Sequence, residues 1–186
     1  MNDKDLIPCG DLSHIIFITG GTKSGKSEYA EHLAKEIKEL SYVALSQNDI
    51  NDKSWQEKIN LHRKRRPKNW TLIETTDLIS TLIKEDGPLL IDSIGGFVME
   101  SIEKEEKEWL TKMYSLISLL KKRKNTTIIV GEQVGWSLVS EYKIGNTYIE
   151  RIGELQKRIT KISKDNWLAI NGRAIKIDEI SIEIPT

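Results

Sequence analysis

GGTKSGKS, residues Gly20 to Ser27, follows the apolar run IIFIT (15–19) and precedes EYAEHLAKEIKEL (28–40). Gly20, four intervening residues and then Gly25, Lys26 and Ser27 match the Walker A pattern, in the strand, loop and helix context it requires. Glycines at 20, 21 and 25 let the backbone turn so that the N–H groups running through Thr22, Lys23 and Ser24 face an anion, and the following helix adds its positive N-terminal end. Lys26 suits the β and γ phosphates of a nucleotide, and the Ser27 hydroxyl suits the coordination of magnesium. The whole stretch from Gly20 to Ser27 is the expected nucleotide-binding loop.

Working outward, short β-branched runs alternate with helical patterns: YVALS (42–46), WTLIET (70–75), PLLID (88–92), TTIIV (126–130) and WLAI (167–170). Between them apolar residues recur three and four apart, the signature of βαβ units and a mostly parallel sheet. One helical stripe holds Tyr148, Ile152, Leu155, Ile159 and Ile162, and another holds Leu110, Met113, Tyr114, Ile117 and Leu120. Both read as sheet-covering helices, since a parallel sheet needs both faces buried. AIKI (174–177) after Asn171-Gly172 fits a terminal hairpin with WLAI, and ISIEI (180–184) fits a further edge strand. The expectation is a three-layer α/β P-loop NTPase fold of the RecA-like kind with an antiparallel C-terminal edge. Residues 1–13 read as an extension, 14–178 as one domain and 179–186 as a tail.

A magnesium ion in such folds also needs a carboxylate at the end of a buried strand. Asp92, which ends the most apolar strand of the chain, is the candidate; a cap on the following helix is its structural alternative. Asp77 and Asp86 are weaker rivals, because each precedes or opens an element.

KINLHRKRRPKNW (58–70) places four cations, Arg63 to Arg66, beside His62 and ahead of Pro67. On pattern alone this is a solvated helix end or a localisation-type patch. Its place after the second strand, on the side where strand carboxyl ends lie, also fits arginines such as Arg63 and Arg66 holding a triphosphate or a phosphorylated substrate by bidentate contacts. A neutral imidazole there can attack an α-phosphorus while guanidinium groups stabilise the developing charge, which would be nucleotidyl transfer. His32, in the first helix beside Leu33 and Ala34, reads as structural, and His14 offers no partners.

Composition narrows the remaining classes. With Lys+Arg and Asp+Glu equal at 28 each, nothing draws the whole chain to nucleic acid or an anionic membrane, and one basic patch is not a nucleic-acid footprint. A single cysteine, Cys9, excludes an internal disulfide framework and a zinc-thiolate site, which fits a reducing cytoplasm. No apolar run reaches the roughly 20 residues that span a bilayer, and MNDKDLIPCGDLSH lacks the cationic start and apolar core of a signal peptide.

Taken together, GGTKSGKS, HRKRRPKNW, LLIDS, EQVGW and WLAINGRAIKI resemble, in order and spacing over about residues 14–177, the bifunctional adenosylcobinamide kinase/adenosylcobinamide-phosphate guanylyltransferase family of cobalamin assembly. The P-loop is shared by many families, whereas a histidine four residues ahead of Arg-Pro, followed by Trp, is much more selective. The resemblance implies ATP or GTP as phosphoryl donor to the aminopropanol hydroxyl of a corrinoid, adenosylcobinamide, and then transfer of GMP from GTP onto that phosphate through a guanylylated histidine, aligned with His62. It implies a magnesium or catalytic carboxylate at Asp92, a ribose or magnesium contact at Glu132, and a homo-oligomer whose neighbouring subunits help to close the site.

Departures from the family pattern are local. Ser54 and Lys58 stand where a glutamate and an arginine are common, Gln133 where a glutamate is common, and Gly95 and Gly96 where a threonine or a larger residue often stands. Arg151, on the helix after Glu132, could reach phosphate or simply pair in water. These changes leave open a guanylyltransferase with weakened kinase activity, a P-loop kinase of another small alcohol, or a nucleotide-binding regulatory module.

Overall fold

The computed structural model describes residues 14–45, 67, 69–136 and 140–185. The apolar runs form the strands β1 (Ile15–Gly20), β2 (Ser41–Ala44), β3 (Thr71–Glu74), β4 (Leu89–Asp92), β5 (Thr127–Glu132), β6 (Asp165–Ile170) and β7 (Arg173–Lys176). Among the described residues they make a seven-stranded sheet in the order β3-β2-β4-β5-β1-β6-β7. Every neighbouring pair is parallel except β6 with β7. β6 begins at Asp165, ahead of the WLAI run, because its pairing with β1 starts at Ile16 opposite Asp165.

Strand alternation sorts the core onto two faces. Ile15, Phe17, Val43, Leu89, Ile91 and Ile129 face one side, where α2 (Leu78–Lys84), α3 (Gly95–Glu100), α4 (Glu106–Lys122) and α5 (Lys143–Ile162) cover them. Ile18, Tyr42, Leu90, Ile128 and Val130 face the other, against Ala30 and Ala34 of α1 (Lys26–Ala34). The layers are those of the expected fold, with helices on both faces of the sheet.

Of the two expected stripes, that of α5 holds: Ile152, Leu155 and Ile159 are buried, and Tyr148 and Ile162 pack at the edge of the same cluster. That of α4 holds in part: Leu110 and Ile117 pack against the same cluster, but the buried centre lies one step round the helix. Trp109, Met113, Leu116 and Leu120 are buried, while Tyr114 is half exposed and carries the Arg158 guanidinium over its ring. Met113 to Leu116 to Leu120 keeps the i, i+3, i+7 spacing that reaches the sheet, whereas Tyr114 is one step round the helix.

The hairpin is as expected. Asn171 (φ 50°) and Gly172 (φ 74°) both lie in the left-handed region, as a two-residue turn between Ile170 and Arg173 requires. The expected edge strand ISIEI does not form. Ile177–Ile180 is a short helix, α6, whose Asp178 carboxylate accepts hydrogen bonds from the Asn166 N–H and side-chain amide, and residues 181–185 have no regular structure. That pairing turns the chain off the sheet edge just after β7. His32, expected to be structural, is exposed and stacks on Tyr29.

Asp77 caps α2, accepting the Ser80 N–H at 3.0 Å and the Ser80 hydroxyl at 2.6 Å, and these bonds hold its carboxyl below the ordinary 3.8. Loss of such a cap costs about 1 kcal/mol. A carboxyl depressed in the folded state contributes stability above its unfolded value, and loses it as pH falls through the folded one. Asp77→Ala is therefore expected to unfold at lower urea concentration than the unsubstituted protein at pH 7, with the difference shrinking below about pH 3.8.

Candidate active site

The loop after β1 is shaped by its glycines and by the hairpin beneath it. Gly25 sits at φ 95°, where residues with a side chain are strained, and it leads directly into α1 without a side-chain cap. The positive N-terminal end of α1 therefore opens onto the loop, a setting that suits an anion. A Cβ on Gly20 would lie 2.4 Å from the Ala169 carbonyl oxygen and 2.6 Å from Ser24 Oγ, so the loop can leave the sheet only with glycine here. The Gly172 N–H donates to Ser24 O at 3.0 Å, which ties the β6–β7 turn to the loop. Lys26 Nζ donates to Gly21 O at 3.2 Å, folding its ammonium back over the loop.

Strand order brings two carboxylates beside this loop. β4 ends at Asp92 and β5, which lies between β4 and β1, ends at Glu132 in register with Gly20. Asp92 does not cap the next helix, whose N-cap is Ile94. Instead, Asp92 Oδ1 accepts from Ser27 Oγ at 3.3 Å, across 65 positions of sequence, and Oδ2 accepts from Tyr42 Oη at 2.6 Å. A hydroxyl and a carboxylate oxygen are hard donors of the kind that would hold a magnesium ion. Asp86 lies in the irregular segment between α2 and β4 and Asp77 serves its cap, so neither rivals Asp92.

Glu132 is held where α3 begins. Its carboxylate accepts from Ser93 Oγ and, at 3.1 Å, from the Gly95 N–H. Burial pushes its carboxyl above the ordinary 4.5; the Ser93 bond and Lys26 act against that, and Asp92 adds to it. The Tyr148 phenol is likewise pushed up by burial and by the Glu132 charge. A Cβ on Gly95 would lie 2.2 Å from the Tyr148 hydroxyl and under 3 Å from both Glu132 carboxylate oxygens, so Gly95 leaves the space in which these two groups meet. A Cβ on Gly96 would lie 2.1 Å from Leu45 O. The glycine pair that departs from the family pattern is thus required by the packing on both of its sides.

Gln133 has a structural place. Its N–H donates to Gly20 O at 2.9 Å, and its side-chain amide donates to Gln156 Oε1 at 3.4 Å. Buried Gln156 also accepts from Thr19 Oγ1 and donates to Glu132 O, joining β1, β5 and α5 below the site. Gln156 was missed by sequence reading, since a glutamine one step off an apolar stripe reads as solvated. Arg151, considered for phosphate, is buried elsewhere. Its guanidinium donates to the carbonyls of Ser101, Ile102 and Lys104 and lies over the Trp109 ring, satisfying the chain after α3. His62, Arg63 and Arg66 lie outside the described residues, as do Ser54 and Lys58. Trp70, which ends the basic stretch, is described: it packs on Tyr42 with ring centroids 6.4 Å apart.

A family model described as cobinamide kinase / cobinamide phosphate guanyltransferase matches residues 16–177. The chain belongs to this family. It is accordingly a kinase and guanylyltransferase of cobalamin biosynthesis. The bifunctional adenosylcobalamin biosynthesis protein CobU of Escherichia coli (strain K12) is 26% identical over 181 residues, covering 88% of this chain and 99% of that protein. The bifunctional adenosylcobalamin biosynthesis protein CobP of Pseudomonas aeruginosa is 30% identical over 150 residues, covering 77% of this chain and 86% of that protein. Among solved structures, an ATPase from the type III secretion system of pathogenic bacteria superposes with a TM-score of 0.56 at 11% identity, covering 84% of this chain and 52% of that one. A Pyrococcus horikoshii OT3 protein gives a TM-score of 0.50 at 7% identity, covering 92% and 91%. These two speak to the fold alone, an α/β fold of the RecA-like P-loop kind.

Two predictions separate the contacts of the glycine pair and of Glu132. Gly96→Ala meets a backbone carbonyl and is expected to lower stability by about 1–3 kcal/mol in urea titration, while Gly95→Ala meets the ends of side chains, costs less stability and displaces Glu132 and Tyr148. A carboxyl raised in the folded state favours folding when protonated, and loses that contribution as pH rises through its folded value. Glu132→Gln, neutral throughout, is expected to melt above the unsubstituted protein near pH 8, with the advantage gone below about pH 4.5.

Proposed function

We propose that residues 14–178 act as one catalytic unit that phosphorylates the aminopropanol hydroxyl of adenosylcobinamide and then transfers GMP to the product through His62. The reading is carried by one observation: Ser27 and Asp92, far apart in sequence, meet at 3.3 Å beside the loop amides and Lys26. A P-loop serine and a strand-end carboxylate in contact are the donors that a magnesium nucleotide needs. Bound there, magnesium supplies charge neutralisation on the β and γ phosphate oxygens.

In the first reaction the loop N–H groups and Lys26 hold the nucleotide phosphates, and Ser27 and Asp92 would hold the magnesium ion; the corrinoid hydroxyl oxygen attacks the γ-phosphorus, the bond from that phosphorus to the bridging oxygen breaks, the nucleoside diphosphate leaves and the hydroxyl proton passes to solvent. In the second, a neutral His62 ring nitrogen attacks the α-phosphorus of GTP. A nitrogen–phosphorus bond forms, the bond from that phosphorus to the bridging oxygen breaks, and pyrophosphate leaves. An oxygen of the corrinoid phosphate then attacks the same phosphorus, and His62 departs with the bonding pair. Arg63 and Arg66 steady the charge that develops on the phosphate oxygens, and guanidinium groups beside His62 favour its neutral form. Glu132 completes the nucleotide site from the end of β5. Family resemblance supports a cytoplasmic homo-oligomer in which a neighbouring subunit covers the corrinoid.

The test is incubation of the pure protein with magnesium and α-labelled GTP, followed by intact mass and acid lability. An acid-labile, base-stable GMP adduct is expected in the unsubstituted protein and absent in His62→Ala, while Asp92→Asn lowers both reactions at least tenfold. If the unsubstituted protein binds GTP and forms no adduct, the histidine route fails and a simple P-loop kinase remains.

A further inference from the structure

Tyr42 belongs to β2, which β4 and β5 separate from β1 and its phosphate loop, and sequence reading counts it only as a strand residue. Opposite Leu90 in register, it faces the same side of the sheet as Leu90 and Asp92. Its ring is 1% exposed and packs on Trp70. From there the hydroxyl reaches along the sheet to donate to Asp92 Oδ2 at 2.6 Å, within the short range of charge-assisted O–H···O⁻ bonds. The other carboxylate oxygen is held differently: its bond from Ser27 Oγ is 3.3 Å long. The tightly held oxygen is thus the one turned toward the core, and the loosely held one faces the P-loop.

We propose that Tyr42 is a positioning residue for the nucleotide reactions, which fixes the rotation of the Asp92 carboxylate so that a single oxygen, Oδ1, is presented to the Ser27 side. This rests on the reading of Asp92 as the carboxylate that supports the metal. A carboxylate bound only at the end of a strand can turn about its terminal torsion and offer either oxygen; an O–H donor anchored by a buried, stacked ring removes that freedom. Partners of this kind, which orient a ligand without touching the metal, typically change metal affinity or activity by 10–100-fold when removed. Trp70 braces the ring, so the residue that ends the basic stretch also supports the carboxylate beside the phosphate loop.

The substitution Tyr42→Phe keeps the ring and removes the hydroxyl. Manganese binding, followed by electron paramagnetic resonance with a non-hydrolysable GTP analogue present, is compared for the unsubstituted protein, Tyr42→Phe and Asp92→Asn. Binding of the analogue without metal, the melting temperature, and kcat and KM for nucleotide are measured alongside. The proposal expects Tyr42→Phe to weaken manganese about tenfold and to lower kcat in step, with KM and metal-free nucleotide affinity changed less than twofold. If Asp92→Asn loses manganese and Tyr42→Phe binds it normally, Tyr42 has no positioning role while the reading of Asp92 stands. If Asp92→Asn keeps manganese, that reading fails and the proposal with it. If Tyr42→Phe loses metal-free nucleotide binding equally, its role is structural and the proposal is overturned.

A second measurement avoids dependence on the folding of Tyr42→Phe. In protein carrying 3-fluorotyrosine at position 42 alone, the fluorine resonance is expected to move when magnesium and the analogue are added together, beyond any change caused by the analogue alone. A resonance indifferent to the metal overturns the proposal.

Discussion

Keeping a carboxylate at the end of a fully buried strand constrains everything around it. Leu89, Leu90 and Ile91 are 0% exposed, so β4 delivers Asp92 out of an apolar interior. An ionised group there needs donors, and a bond to a charged group contributes about 1.5–3 kcal/mol where a lost partner costs at least as much. The donors are two hydroxyls from different places: Tyr42 from the neighbouring strand and Ser27 from the start of α1. Holding Asp92 therefore requires β2 beside β4 and α1 folded down on the same face, which is the arrangement a nucleotide site needs.

The second carboxylate is kept by different means. Glu132 sits where α3 must pass closely, and Gly95 and Gly96 allow that approach, one toward Tyr148 and Glu132 and the other toward Leu45. Below it, Gln156 connects Thr19 and Glu132 O through its side-chain amide, so the ends of β1 and β5 are joined by hydrogen bonds as well as by the sheet ladder. Arg151, earlier on α5, does for the chain after α3 what Gln156 does for the strand ends. One helix thus carries an apolar stripe that covers the sheet and two polar side chains that satisfy buried backbone.

Much of this was legible in one dimension. The spacing of glycine, lysine and serine after an apolar run has few physical meanings, and short β-branched runs separated by helical periods lead to a parallel sheet. Asn171-Gly172 announced its turn because few residue pairs tolerate two positive φ values. Asp92 was legible because a charge at the end of LLID is costly without a purpose. What escaped were partners: Tyr42, Gln156 and the burial of Arg151 depend on which strand lies beside which, and ISIEI looked like a strand because its alternation carries no information about the Asp178 contact that turns the chain aside.

Local chemistry by itself determined the phosphate loop, the strand and helix alternation, the tight turn and the family, since each rests on residue types at fixed short spacings. Only the tertiary structure decided that Ser27, Tyr42 and Asp92 form one contact and that Glu132 stands level with Gly20. The reason is physical: a parallel sheet orders its strands by how their crossovers pack, so residues from four strands become neighbours through pairings that no spacing along the chain encodes.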